Sequence, residues 1–129
     1  MAVLKVARMG HPILREKAKS VTEAQIQSLE MKNLVSDMVD TMADYDGIGL
    51  AAPQVRASVR LAIVNLGSGE GRAAEVKELG LEGVEIFFNP VIEVLDPEEQ
   101  GFWEGCLSVP DMRGLVFRPR KIRVSYLNG

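Results

Sequence analysis

The only cysteine of this 129-residue chain, Cys106, lies in the segment FWEGCLSVP (residues 102–110), between Gly105 and Leu107. A lone thiol serves as core filler, as a nucleophile or as a metal ligand. A nucleophilic cysteine needs a base, normally a histidine, and the only histidine is His11, far away in the sequence in GHPILR. Core packing is the ordinary role of such a cysteine, and on these residues alone all three alternatives stay open.

A second segment suited to chemistry is GIGLAAPQV (residues 47–55). Gly47 and Gly49 flank Ile48, which leaves the backbone open to close approach by a ligand or another chain. Gln54 offers a neutral side-chain amide that both donates and accepts hydrogen bonds. The alternative interpretation is a tight turn that leads into a strand.

The elements that must position these segments begin with a helix. Apolar residues recur every three or four positions from about residue 23 to 43, which predicts one long helix with a buried face; they are Ile26, Leu29, Leu34, Val35, Met38, Val39 and Met42. Thr22 and Gln25 form a capping-box pattern at its start, and Gly47 suits the chain reversal after it. The methionine-rich face is predicted to pack in the core, with a partner-binding surface as the alternative.

The later part of the chain has the pattern of strands. Four segments rich in β-branched and aromatic residues are predicted to be strands, namely 59–66, 84–95, 114–117 and 121–127. Pro90 is expected to divide the second segment into two strands joined by a bend. The glycine- and charge-rich residues 67–83 predict a loop with a short helical turn near 73–79. One helix followed by several strands predicts a single α+β domain, residues 1–129, with a largely antiparallel sheet.

Composition limits the classes of function. A net charge of −3 gives no signal for nucleic-acid binding. A single cysteine forms no internal disulfide, which favours a reducing compartment. No apolar run in the sequence is long enough for a secretory signal or a membrane span. We therefore expect a cytoplasmic protein with no membrane partner.

The two unusual segments together resemble a known family. GIGLAAPQV followed by EGCLSVP is similar to the first two signature motifs of the peptide deformylases. GHPILR and the run RGLVFRPRKIRVSYLNG also resemble that family, so the resemblance covers nearly the whole chain. Peptide deformylases are metal-dependent hydrolases that remove the formyl group from the N-terminal formyl-methionine of new polypeptides. The resemblance implies a peptide deformylase-like fold, with formyl-methionyl nascent peptides, met at the ribosome, as partners.

The resemblance also implies a role for individual residues. Cys106 would be a metal ligand, and ligation requires its thiolate. The Gln54 side-chain amide and the Leu107 backbone N–H would donate to the oxyanion that develops on the formyl carbon. Glu104 and Arg118 would brace the cysteine loop. The remaining positions would bind substrate, much of it as an added strand: Gly47, Ile48, Gly49, Leu50, Gly105 and Arg113.

One part of the family pattern does not occur in this sequence. The third signature, H-E-x-x-H on a helix, is absent; in the family its histidines complete the metal site and its glutamate handles the proton of the water. The sequence stops at SYLNG, where Asn128 and Gly129 form a strong hairpin-turn signal. The resemblance therefore implies a chain truncated before the metal-binding helix, and the alternative is a natural short form.

These expectations have consequences for activity. The complete site would hold one divalent metal, Fe²⁺ or Zn²⁺, with Ni²⁺ and Co²⁺ also compatible with cysteine and histidine ligands. The chain alone is expected to be inactive, to bind metal weakly, and to self-associate through exposed apolar surface and an unpaired strand edge. A binding module that keeps only the peptide groove is the second hypothesis. A redox role for Cys106 is the third, although no base or partner thiol is evident.

Overall fold

The computed structural model describes residues 2–65 and 83–128, in which two helices precede a four-stranded sheet. The helices are α1 (Glu23–Ile26) and α2 (Leu29–Asp44), and the strands are β1 (Gly49–Ala51), β2 (Leu61–Asn65), β3 (Val84–Cys106) and β4 (Val109–Leu127). Short 3-10 turns span Pro12–Leu14 and Ala52–Val55. The predicted class, an α+β fold with an antiparallel sheet, is confirmed.

The long helix expected from residue 23 to 43 is interrupted after one turn. The capping box is present, because Thr22 Oγ1 accepts from the Gln25 N–H and Gln25 Oε1 accepts from the Thr22 N–H. Ser28 then starts a second helix by accepting from the Met31 N–H at 3.2 Å, a strong N-cap position. Leu29 becomes the first residue of α2 and is 74% exposed, so its predicted place on the buried face was wrong.

The methionine-rich face of α2 lies in the core. Met31, Met38 and Met42 are buried and pack with Leu50 and Ile63 from the sheet. The core interpretation of this face is therefore confirmed, and the alternative of a partner-binding surface is contradicted. Unbranched methionine side chains suit this interface because they adapt to the irregular gap between a helix and a short twisted sheet.

The four strands form one antiparallel sheet in the order β1-β2-β3-β4. The predicted segment 59–66 contains β2, while Leu66 lies outside the described residues. The segments 84–95, 114–117 and 121–127 are parts of the two long strands β3 and β4. The loop expected over 67–83 and its helical turn near 73–79 also lie outside the described residues, apart from Gly83, and so does Gly129 of the predicted final turn.

Pro90 does not divide the strand, contrary to the sequence prediction. The register between β3 and β4 shifts between Phe88 and Val91, and Asn89 has a positive φ of 52°. A bulge accommodates a proline that cannot donate to the ladder, because the irregular position needs no donor there. The strand continues through this bulge as far as Cys106.

Burial divides the described residues into two regions. We call residues 2–65 together with Val84–Phe88 the compact region, since they hold the buried apolar core. Residues 89–127 form the hairpin arm, most of which is exposed to solvent. Of the helices in the described part of the chain, none is long and apolar enough to cross a membrane.

Candidate functional site

The two sequence segments singled out for chemistry meet at the tip of the hairpin arm. Gln54 lies in the 3-10 turn that follows β1, and Cys106 ends β3. The Gln54 Nε2 donates to Cys106 Sγ at 3.6 Å and to Ser108 Oγ at 3.1 Å. Its Oε1 accepts from the Ala51 N–H at 2.9 Å. Because the backbone N–H only donates, it fixes which end of the amide faces the thiol.

The turn after Cys106 is anchored on the compact region. Leu107 and Ser108 connect β3 to β4, and Cys106 pairs with Val109 across the hairpin. Leu107 packs against the core cluster, and Ser108 is only 4% exposed. A Cβ added at Gly47 would lie 2.8 Å from Leu107 Cδ1. A side chain at position 47 would therefore have to displace the end of Leu107 from this contact between the first and second motifs.

Residues 7–9, near the N-terminus, form backbone hydrogen bonds with both motifs. The Ala7 N–H donates to the Gln54 C=O at 2.6 Å, and the Met9 N–H donates to the Ser108 C=O at 2.7 Å. The two donors are only two residues apart, so one short segment reaches both loops. These hydrogen bonds hold the backbones of Gln54 and Ser108 together, in addition to the bond between their side chains.

The edge of β1 beside this cluster has no strand partner among the described residues. The Asn65 N–H donates to the Ile48 C=O at 2.7 Å, and Leu50 pairs with Ile63. Hydrogen-bonded and non-hydrogen-bonded pairs alternate in an antiparallel ladder. Gly49, between Ile48 and Leu50, therefore turns its N–H and C=O towards the outer edge. The Ala51 N–H points to the same edge, where it donates to the Gln54 Oε1.

Ile48, directly before β1, and Leu50, within β1, differ in what their side chains offer to a ligand. Ile48 is 63% exposed next to the open edge, which suits contact with a ligand. Leu50 is 3% exposed and packs in the core. If Leu50 contributes to a substrate groove, only its backbone is available, because its side chain already serves the interior.

Glu104 and Arg118 form a two-pronged ion pair across the hairpin. Arg118 Nε and Nη2 donate to the two carboxylate oxygens of Glu104 at 3.1 and 2.8 Å. The hydrogen bond from Arg118 lowers the pKa of Glu104, and the same bond raises the pKa of Arg118. Planar bidentate pairs of this kind fix geometry as well as charge. The pair ties β4 to β3 two residues before Cys106.

Gly105 and Arg113 lie opposite each other in the hairpin register. Together with Glu104, Cys106 and Arg118 they line a shallow cleft of about 350 Å³. A Cβ at Gly105 would meet only ordinary contacts, at 3.8 Å or more. Within the described part of the chain, no neighbour crowds this position. Arg113 is exposed and is not part of the Glu104–Arg118 pair.

A larger cleft of about 510 Å³ lies on the other side of the thiol. It is lined by Gln54, Cys106 and Ser108 and by the N-terminal turn that contains His11. The His11 Nδ1 accepts from the Ile13 N–H at 3.2 Å. This bond engages Nδ1 in capping the 3-10 turn Pro12–Leu14. The cleft therefore brings His11 to the same side of the site as Cys106.

Cys106 is the candidate metal ligand of this site. Cys106 is exposed and free, as a ligand must be. Over residues 2–65 and 83–128, no group of three or more His, Cys, Asp or Glu side chains is placed to hold an ion. These residues therefore do not by themselves fit the complete metal site of three protein ligands.

Fold and site together define an α+β protein with an open sheet edge beside a cysteine–glutamine cluster. The family model described as polypeptide deformylase matches residues 3–129. The chain belongs to the peptide deformylase family, whose members are metal-dependent hydrolases that process the N-termini of nascent formylated polypeptides. This confirms the resemblance seen in the motifs.

Individual relatives are similar along almost the whole chain. The peptide deformylase of Leptospira biflexa is 44% identical over 126 residues, which are 98% of this chain and 69% of the relative. A class I type b peptide deformylase from Acinetobacter baumannii superposes with a TM-score of 0.84 at 35% identity and covers 98% of this chain and 77% of its own. The same enzyme in a Met-Ala-Ser-bound crystal structure gives a TM-score of 0.83 at 34% identity, with the same coverage.

Sequence reasoning did not single out Ser108 or the segment that contains Ala7 and Met9. Ser108 lies within EGCLSVP, and its place directly after a predicted oxyanion donor is the signal in the sequence that could have found it. The backbone donors of Ala7 and Met9 carry no signal in residue type, because every residue except proline has an N–H.

Proposed function

We propose that this chain supplies the peptide-binding and oxyanion-binding groups of a deformylase reaction. The reaction is hydrolysis of the N-formyl group from the formyl-methionine of nascent polypeptides, with release of formate. The observation that carries the proposal is the Gln54 amide, which is aimed at Cys106 Sγ over 3.6 Å and stands at the end of the open β1 edge. A cytoplasmic location and an encounter with the nascent chain at the ribosome are part of the same proposal.

The substrate backbone would add to the sheet as a further strand on β1. Gly49 directs its N–H and C=O to the outer edge, as the ladder between β1 and β2 requires. Strand addition uses such unpaired main-chain groups for affinity and neighbouring side chains for specificity. The Met-Ala-Ser-bound structure of the Acinetobacter relative supports peptide binding in this fold. Gly47, Ile48, Leu50, Gly105 and Arg113 would border the same groove.

The formyl oxygen would lie between two donors. The Gln54 Nε2 contacts Cys106 Sγ, and Leu107 follows the cysteine in the sequence, so its N–H would be the second donor. Donors fixed beforehand stabilise a developing oxyanion without reorganising in the transition state. The Glu104–Arg118 pair would hold the end of β3 in place, so that the turn carrying Leu107 keeps its position.

The metal of the proposed reaction would use Cys106 as one ligand. Fe²⁺ or Zn²⁺ is the expected ion, and Ni²⁺ or Co²⁺ would also suit thiolate and imidazole ligands. No group of three or more possible ligands is placed together in residues 2–65 and 83–128. The chain's own residues bind the peptide, orient its formyl group and exclude water from the turn at Ser108.

A non-catalytic peptide-binding role is the second candidate. It is favoured by the metal ligands: Cys106 is a free thiol beside the groove, and no group of three or more possible ligands is placed together in the described residues. For this role, formyl-methionyl peptides bind but are not hydrolysed, and metal stays below one equivalent.

The test compares formyl-Met-Ala-Ser with Met-Ala-Ser, for binding by calorimetry and for formate release with added Fe²⁺ or Zn²⁺. We expect this chain to bind the formylated peptide more tightly, and Gln54→Glu to remove that preference because it replaces the donor with an acceptor. Gln27→Glu, on the exposed end of α1, is the matched control. Formate release abolished by Cys106→Ser would select the enzyme over the binding role. Equal, undetectable binding of both peptides would overturn both.

A further inference from the structure

The buried hydroxyl of Ser108 lies directly behind the amide of Gln54. Ser108 is 4% exposed, and its Oγ accepts from the Gln54 Nε2 at 3.1 Å. The other end of the amide, Oε1, accepts from the Ala51 N–H at 2.9 Å. The amide is therefore held at both ends, by one backbone donor and one side-chain acceptor.

This arrangement divides the two protons of the Gln54 amide between different partners. One N–H is directed to Ser108 Oγ, and the other faces Cys106 Sγ at 3.6 Å. An NH₂ group has only two protons, so the one facing the cysteine is the one left for a ligand. The serine hydroxyl thus determines which proton of the amide is available beside the thiol.

The position of the hydroxyl is itself fixed by the backbone. The Met9 N–H donates to the Ser108 C=O at 2.7 Å, and the Ala7 N–H donates to the Gln54 C=O at 2.6 Å. The two side-chain partners therefore cannot drift apart without breaking these bonds. Burial of Ser108 also keeps water from competing for the amide proton, which strengthens the bond.

We propose that Ser108 is a positioning residue, which aims the Gln54 amide at the formyl oxygen of the substrate without touching the substrate itself. The identity of the ligand rests on the proposed function. The restraint on the amide depends only on the hydrogen bonds to Ser108 and Ala51. Loss of the hydroxyl leaves the amide held at Oε1 and, on its nitrogen, by the longer contact with Cys106 Sγ alone. It then rotates more freely and is less prepared to donate beside Cys106.

The first readout is hydrogen exchange of the Gln54 side-chain amide, followed by nuclear magnetic resonance on the isotopically labelled chain. Ser108→Ala is expected to accelerate exchange about fivefold or more, as loss of one hydrogen bond implies. Ser20→Ala, which removes an exposed hydroxyl far from the site in sequence, is the control and should leave the rate unchanged. If Ser108→Ala does not fold, the isosteric pair Ser108→Thr and Ser108→Val carries the test, because only the first keeps a hydroxyl.

The second readout separates positioning from a merely structural role. Ser108→Ala and Ser108→Val should weaken binding of formyl-Met-Ala-Ser about fivefold and leave that of Met-Ala-Ser within about twofold, while Ser108→Thr restores the preference. Equal weakening of both peptides, or the same amide exchange in the Thr and Val variants, would overturn the proposal. If the wild-type chain binds neither peptide, the proposed function fails, and amide exchange still decides whether Ser108 restrains Gln54.

Discussion

The compact region and the hairpin arm are built on different principles. Met38 and Ile63 in the compact region are 0% exposed, whereas Trp103 and Phe117 in the arm are 68% and 60% exposed. The compact region is stabilised by apolar burial, and the arm by strand pairing between β3 and β4. Ser108 is the one buried residue of the arm, and it lies at the tip, where the arm returns to the compact region. The site forms only where the tip of the arm contacts the compact region.

The largest expected effect tests where the stability resides. Met38→Ala should lower the free energy of unfolding by about 2–5 kcal/mol, because it leaves a cavity in a closely packed core. Phe117→Ala, in the arm, should change it by less than about 1 kcal/mol. Urea unfolding of both variants measures the difference. Equal losses would mean that the arm is as well packed as the compact region and would end the distinction between them.

The next effect tests the junction between the two regions. Asn89 has a φ of 52°, and its side chain exchanges two hydrogen bonds with the backbone of Val21, at 2.8 and 2.7 Å. Asn89→Ala should cost about 3 kcal/mol, from lost hydrogen bonds and left-handed strain.

Asn89→Gly is the matched variant at the same position, and it should cost about 2 kcal/mol because glycine accepts the backbone conformation. Thermal unfolding of the two variants separates the hydrogen bonds from the strain. A neutral Asn89→Ala would show that the arm needs no fastening at its base.

A smaller effect tests the contact at the tip. Gly47→Ala should cost about 1 kcal/mol, because the new methyl group displaces Leu107 Cδ1, which lies 2.8 Å away, and a flexible side chain can move. In Gly49→Ala the new methyl group meets nothing closer than 3.5 Å. This variant should cost less than about 0.5 kcal/mol relative to wild type. Urea unfolding distinguishes them, and a Gly49→Ala variant that is the less stable of the two would contradict the proposed close approach.

The smallest effect is the pH dependence of the ion pair in the arm. The pKa of Glu104 is lowered from 4.5 by Arg118. A carboxylate whose folded pKa is depressed stabilises the fold above its unfolded pKa, and this contribution is lost as the pH falls through the folded pKa. The melting temperature of wild type should therefore fall slightly more between pH 7 and pH 3 than that of Glu104→Gln.

Glu98→Gln is the control for this pH dependence. It removes a looser pair with Arg120 at 3.6 Å in the same arm, and exposed pairs contribute little. Its pH dependence should match that of wild type. If Glu104→Gln behaves in the same way as Glu98→Gln, the two-pronged pair has no special role in holding the cysteine loop.

Local patterns predicted much of the fold. The cap at Thr22 and the buried methionines of α2 followed from spacing, because caps and amphipathic faces are properties of neighbouring residues. The break at Ser28 and the unbroken β3 through Pro90 did not follow. The helix breaks because Ser28 caps a second helix. The strand continues past Pro90 because pairing with β4 allows a bulge there.

The sequence by itself determined the family, the antiparallel α+β class and the two motifs that carry Gln54 and Cys106. It could do so because these features are written in residue types at short range. The tertiary structure alone decided that Ser108 lies behind the Gln54 amide and that Ala7 and Met9 fasten the two motifs. Those contacts join backbone groups and loops far apart in the chain, and no residue type marks an N–H that will be used there.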